Sequence, residues 1–258
     1  MTEPLFDRPF ILSMGPQRCG ANRFEVYLRE RGDVCLPDGV KEIFYFDRHF
    51  QRGRDFYRSH FKDTSRHQFF MELSTTAFDN PDAPERVREL LGSDVRLLCP
   101  LRHPVARSYT VYQDYKRYGL VSGSIEEAVD QAPQIVFASR YKDHLERWFE
   151  VFGREAVHIV LTETMERAPE QFVRDLCDSM SLPFVAPGAG ALHAMKTVLP
   201  QKEAGFFDFL NSFQMFSRFS QEKARRRKAE LDWLGQRLNP EVEKLEAFLN
   251  TPLPAWKA

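Results

Sequence analysis

The chain has 258 residues, 43% of them hydrophobic and 28% charged, the balance of an ordinary soluble globular protein long enough to bury a full core without staples. Lys plus Arg number 36 against 37 Asp plus Glu, for a net charge of -1. That argues against a generally basic nucleic-acid binder and leaves a local basic site open.

Phe10, Ile11 and Leu12 begin a first strand over 10–14, and 15–20 is a loop. A helix over 21–31 places Phe24, Tyr27 and Leu28 on one face. A short second strand over 34–36 is stopped by Pro37 and Gly39, and 41–47 is a loop. The third strand covers 68–73, a helix 84–91 and the fourth strand 95–99; His103 and Pro104 open the next helix. The fifth strand is 157–161. Further helices are expected at 139–151, 168–180, 206–219, 222–237 and 239–249. Pro183, Pro187, Gly188 and Gly190 mark a long loop that reaches His193 and Lys196. This alternation predicts an α/β fold: one domain over 1–258, a mostly parallel sheet flanked by helices, with a helical C-terminal part.

No apolar run approaches the ~20 residues of a membrane span, and residues 1–9 lack a signal-peptide layout. Stable membrane insertion is not expected. Cys19, Cys35, Cys99 and Cys177 match no metal-ligand spacing, and the last three sit among apolar residues. A reduced, cytoplasmic setting is the simplest reading.

Three segments carry chemistry. The loop Gly15, Pro16, Gln17, Arg18, Cys19, Gly20 feeds a helix through Ala21 and Asn22. Backbone N–H groups and the helix dipole there would form an anion site, with Arg18 adding a fixed charge. An ordinary tight turn fits this segment equally well. The run from Arg102 to Tyr112 also leaves a strand and opens a helix. Arg102 and Thr110 could grip one phosphate together; the alternative makes Arg102 and Arg107 surface salt-bridge partners. The third segment is Lys41, Glu42, Ile43, Phe44, Tyr45, Phe46 and Asp47. A carboxylate beside apolar rings can act as a base, although by itself the segment reads as a hydrophobic loop with solvated charges.

Together these segments resemble the sulfotransferases that use 3′-phosphoadenosine 5′-phosphosulfate (PAPS), over roughly residues 10–184. The first loop is similar to the family's 5′-phosphosulfate loop. Residues 102–112 match its 3′-phosphate motif, R-x-P-x-x-R-x-x-[S/T]-x-Y, at every written position. Residues 41–47 resemble the K-E-x-H-F-F-D segment of the heparan-sulfate-type branch. The resemblance implies a P-loop-like fold and sulfuryl transfer from PAPS, leaving 3′-phosphoadenosine 5′-phosphate (PAP), without a metal. It implies that Arg18 and the backbone of Cys19, Gly20, Ala21 and Asn22 hold the 5′-phosphate. Arg102 and Thr110 hold the 3′-phosphate. Glu42 takes the acceptor's proton, Lys41 steadies the sulfuryl group, and Asp47 is a weaker candidate.

A small-molecule or carbohydrate acceptor is implied, and no nucleic acid. Three residues depart from the pattern: Ala21 replaces a Thr, Phe44 a His, and Leu73 the Lys of an E-K-T-P segment seen here as Glu72, Leu73, Ser74, Thr75. These departures support a second reading, a degenerate relative that binds nucleotide or acidic glycan without turnover. A third, a P-loop kinase, is opposed by the absence of the Lys-Ser/Thr pair in the first loop. The basic run 223–228 brings Arg226 and Arg227 over the 3′-phosphate, forms a solvated helix face, or offers a basic patch to an anionic acceptor or membrane surface. Phe206, Phe207, Phe209, Phe213, Phe216 and Phe219 have the spacing of a packing face; an acceptor channel or a homodimer contact is the alternative. Tyr141 and Trp148 read as packing residues.

Overall fold

The computed structural model describes residues 5–196 and 216–256. Its sheet has five strands, β1 (Phe10–Ser13), β2 (Val34–Cys35), β3 (Phe69–Leu73), β4 (Arg96–Leu101) and β5 (Val157–Leu161). Their order is β2-β3-β1-β4-β5, and every pairing is parallel. β1 is central: Leu12 lies opposite Glu72 of β3 and Leu97 of β4. From β1 the chain goes to the edge strand β2, returns to place β3 between β2 and β1, then crosses to build β4 and β5 on the other side. The loops after β1 and β4 therefore part at neighbouring strand ends, where open α/β sheets form a crevice.

Eleven helices are labelled among the described residues: α1 (Ala21–Arg31), α2 (Gly53–Arg58), α3 (Ala83–Leu91), α4 (Pro104–Arg117), α5 (Ile125–Gln131), α6 (Gln134–Phe137), α7 (Tyr141–Phe152), α8 (Thr162–Arg167), α9 (Pro169–Ser179), α10 (Ala189–Lys196) and α11 (Phe216–Leu249). Alternate β1 residues feed opposite faces of the sheet. Phe10, Leu12 and Met14 pack with Tyr57, Val87 and Trp148, from α2, α3 and α7. Ile11 packs with Phe24, Phe172 and Ala191, from α1, α9 and α10. Parallel sheets are stable only with both faces covered in this way. Trp148 is fully buried, and its indole N–H donates to the Phe78 carbonyl at 3.1 Å, so its burial orphans no donor. Tyr141 is likewise buried.

Pro100 lies in β4 past the last β1 pairing, Ser13 with Leu98, so its missing N–H breaks no ladder bond to β1. Gly15 packs directly on it: a Cβ there would lie 2.5 Å from the Pro100 Cδ. The first loop thus leaves β1 against the proline ring.

Several expectations change. The long loop after Pro183 ends at Gly188, and His193 and Lys196 belong to α10. The expected helices 222–237 and 239–249 are one helix, α11, which runs through Pro240. Leu234, Leu238, Val242, Leu245 and Leu249 are all buried, so one apolar stripe continues across the proline and outweighs its lost N–H. Of the aromatic cluster, Phe206, Phe207, Phe209 and Phe213 lie outside the described residues. The end of the segment read as loop, 45–47, belongs to a π-helical turn over Tyr45–His49, and α2, α5, α6 and α8 are additional. Cys19 joins the other three cysteines as a buried, free thiol.

Candidate active site

The first loop is held from beneath by two side chains. Arg107 of α4, only 3% exposed, donates through Nε to the Gln17 carbonyl at 3.1 Å and through Nη1 to the Ile135 carbonyl at 3.0 Å. The surface salt-bridge alternative therefore fails for Arg107. Thr162, at the start of α8, places its hydroxyl 2.9 Å from the Cys19 carbonyl and 3.0 Å from the Leu101 carbonyl. In a trans peptide, C=O and N–H point in opposite directions. Pinning the Gln17 and Cys19 carbonyls inward turns the N–H groups of Arg18 and Gly20 outward. Gly20 has φ 84°, and α1 begins after it with no side-chain cap and no acidic residue in its first turn. That end is a donor-rich anion cradle. A Cβ on Gly20 would meet the Met165 Cε at 2.8 Å and the Thr162 Cγ2 at 3.2 Å. Ala21 is buried and Asn22 exposed beside it.

The second cradle follows β4. Arg102 donates through Nη1 to the Thr110 hydroxyl at 3.1 Å, and that hydroxyl donates to the Ala106 carbonyl at 2.9 Å. The Tyr141 hydroxyl fixes the Arg102 backbone by donating to its carbonyl at 2.7 Å. Arg18 adopts the left-handed φ of 70°, and its Nη2 lies 2.6 Å from Asp114 Oδ2. Arg107, Thr110 and Asp114 are spaced three and four residues apart on α4, so they share one face. That face touches Gln17, Arg102 and Arg18. One helix therefore brackets both cradles.

Glu42 stands on the other side of β1. Thr75, just beyond β3, donates its N–H to Glu42 Oε2 at 3.2 Å and its hydroxyl to Oε1 at 2.8 Å. Glu42 is thus tethered at a strand end, which replaces the reading of it as a solvated charge. Burial raises its pKa, while the Thr75 hydroxyl and N–H oppose the rise. Lys41 is exposed, and its charge also opposes the rise. Asp47 pairs with Arg48 at 3.2 Å. Phe44 has φ 53° and lies under the Arg48 guanidinium. Sequence reasoning assigned no role to Glu72, which is fully buried. The Tyr57 hydroxyl donates to it at 2.6 Å, and burial pushes its pKa up to about 7. Leu73, in the place of the family's Lys, is buried.

The C-terminal basic run divides. Arg226 donates through Nε to Glu230 at 3.2 Å and through Nη2 to the Gly123 carbonyl at 3.3 Å. Glu230 also accepts from the Tyr112 hydroxyl at 3.0 Å, so Arg226 belongs to the contact that docks α11 on α4. Arg227 lies 5.9 Å from the Tyr109 ring, one residue from Thr110.

The site residues thus fall on three adjacent strand ends: Glu42 at β3, the first loop at β1, and Arg102 with Thr110 at β4. The Arg18 and Arg102 side chains, the Thr110 hydroxyl and the backbone of the first loop offer guanidinium, hydroxyl and N–H donors, the set that binds phosphate. Asp114, Thr162 and Thr75 were not assigned roles from sequence. Thr162 and Thr75 carry the signal of a polar residue just beyond a strand end; Asp114 carries none beyond its place one turn after Thr110.

The five-stranded parallel sheet flanked by helices is the P-loop-like α/β fold of sulfotransferases. A sulfotransferase from Alicyclobacillus acidocaldarius shares it with a TM-score of 0.72 at 21% identity, over 98% of this chain and 100% of that one. A sulfotransferase from Mycobacterium avium matches with a TM-score of 0.51 at 14% identity, covering 78% of this chain and 69% of that one. In sequence, the chain is 30% identical over 182 residues to human heparan sulfate glucosamine 3-O-sulfotransferase 6, covering 67% of this chain and 52% of that protein. It is 24% identical over 192 residues to the bifunctional heparan sulfate N-deacetylase/N-sulfotransferase 1 of Caenorhabditis elegans, covering 68% of this chain and 22% of that protein. The chain thus spans about a fifth to a half of the length of these curated relatives. No protein-family model matches. The relatives and the fold support the PAPS-dependent sulfotransferase resemblance drawn from the three segments.

Proposed function

We propose that the chain is a PAPS-dependent sulfotransferase that moves a sulfuryl group to a hydroxyl or amine, with carbohydrate the favoured acceptor class. The carrying observation is the α4 face that joins the Arg102–Thr110 pair to the first loop at neighbouring strand ends. The donor set of the two cradles fits a nucleotide with phosphates at its 3′ and 5′ positions. The co-substrate supplies a sulfuryl group on a phosphate leaving group, and its transfer resembles phosphoryl transfer in its loose, in-line transition state.

Arg102 and the Thr110 hydroxyl hold the 3′-phosphate and so select the nucleotide. Arg18 and the N–H groups from Cys19 to Asn22 stabilise charge growing on the 5′-phosphate, each donor being worth about 3–4 kcal/mol of barrier. Glu42, tethered by Thr75, takes the proton of the acceptor. Lys41 is placed next to it in the chain to steady the transferring group. Arg227, beside Tyr109, is better placed than Arg226 to approach the 3′-phosphate. A carbohydrate acceptor is supported by the heparan sulfate relatives and the 41–47 segment. A cytoplasmic setting is supported by four free, buried thiols.

The test is transfer of labelled sulfate from PAPS to a panel of glycans, small alcohols and amines. Turnover on one class is expected. PAP binding with no turnover on any class would contradict the assignment and favour a degenerate binder.

A further inference from the structure

Asp114 has an unusual position for a carboxylate that belongs to no motif of the site. Its side chain is only 4% exposed, whereas that of its partner, Arg18, is 42% exposed. A buried carboxylate is costly unless a cation compensates it closely. The close cation is Arg18 at 2.6 Å; Arg117, one turn further along α4, lies at 3.6 Å. The pairing is long-range in sequence, and it fixes a side chain that starts from a left-handed backbone. The residue before Arg18 is also tied to α4, through the Arg107 bond to the Gln17 carbonyl at 3.1 Å. The loop and the Arg18 side chain are therefore both anchored on the face that carries Thr110. A guanidinium has five N–H donors in a rigid plane. Anchoring one amino group on Asp114 sets the direction of the rest, which a flexible, solvated arginine would not do.

We propose that Asp114 is a positioning residue that sets Arg18 across the nucleotide crevice, so that it affects the binding of a 3′,5′-bisphosphorylated adenosine only through Arg18. This rests on the sulfotransferase reading above.

The test is a double-mutant cycle on PAP binding, measured by calorimetry, with folding checked by circular dichroism. Arg18→Ala and Asp114→Asn are each expected to weaken PAP binding about tenfold, and the double variant to match Arg18→Ala within about twofold. Equal effects that multiply in the double variant would overturn the proposal. So would tighter binding by Asp114→Asn, which would make Asp114 a competitor of the ligand. Should Asp114→Asn fail to fold, Arg18→Lys decides. An ammonium held on Asp114 has no second fork of donors, so Arg18→Lys should bind PAP within about threefold of Arg18→Ala. Wild-type affinity in Arg18→Lys would refute the positioning role. Failure of the wild-type protein to bind PAP would instead reject the sulfotransferase reading and this inference with it.

Discussion

Thr162→Val removes one hydroxyl and keeps the shape of the side chain. In the folded chain that hydroxyl sits between the Cys19 and Leu101 carbonyls at 2.9 and 3.0 Å, and Thr162 is 2% exposed. It has one proton, so it donates to one carbonyl at a time. Valine leaves that buried carbonyl without its donor, at a cost of about 1–3 kcal/mol. A loss of about 2 kcal/mol lowers the melting midpoint of a domain this size by roughly 4–8 °C. The Cys19 peptide also loses the restraint that turns the Gly20 N–H outward, so PAP should bind about tenfold more weakly, or about 1.4 kcal/mol. Thr162→Ser keeps the hydroxyl and should restore both properties. Melting scans with and without PAP, together with calorimetry, read the two effects. Wild-type melting and wild-type PAP affinity in Thr162→Val would refute the idea that this hydroxyl shapes the cradle.

Glu42→Gln should leave PAP binding unchanged and lower kcat by about 10²–10⁴-fold, the usual contribution of a positioned base. In the wild-type protein the proposed kcat should fall as pH drops through the Glu42 pKa, which burial places above the ordinary glutamate value. A pH profile flat down to pH 4 would count against Glu42 as the base. Glu72 titrates at about 7 when folded and near 4.5 when unfolded, so the folded chain holds a proton the unfolded chain has lost between those values. Stability should therefore decline as pH rises across that window and level off above it. Glu72→Gln should abolish this decline, gaining about 2–3 kcal/mol on the wild-type protein between pH 5 and 8. Parallel denaturant-unfolding curves for the two proteins at both pH values would contradict the buried-carboxyl assignment.

Much of this arrangement could be read from residue order. Short β-rich runs separated by helical periods led to five strands and a parallel sheet, since neither needs long-range information. Arg102 and Thr110 were legible because they lie only eight residues apart, one at the end of β4 and the other in the second turn of α4. Glu42 was legible only through the likeness of its segment: the carboxylate is held by Thr75, just beyond a strand and more than thirty residues away, and local pattern read it as solvated. Arg107 and Asp114 were opaque for the same reason. Their partners, Gln17 and Arg18, become neighbours only when β1 and β4 pair. α5 carried a readable signal in its capping box, with Ser124 and Glu127 satisfying each other's backbone. Pro240 misled because a proline usually ends a helix, whereas the buried stripe on both sides keeps α11 whole.

The central claim is that Arg102 and Thr110 recognise a 3′-phosphate next to the cradle that follows β1. It is tested most directly by comparing PAP with adenosine 5′-monophosphate, which lacks that phosphate, on wild-type protein and Arg102→Ala. The wild-type chain should prefer PAP, and Arg102→Ala should weaken PAP by roughly 10–100-fold, the worth of a charge-assisted bond, while leaving the monophosphate unchanged. Equal affinity of the wild-type chain for both nucleotides, or an unaltered PAP affinity in the variant, would contradict it.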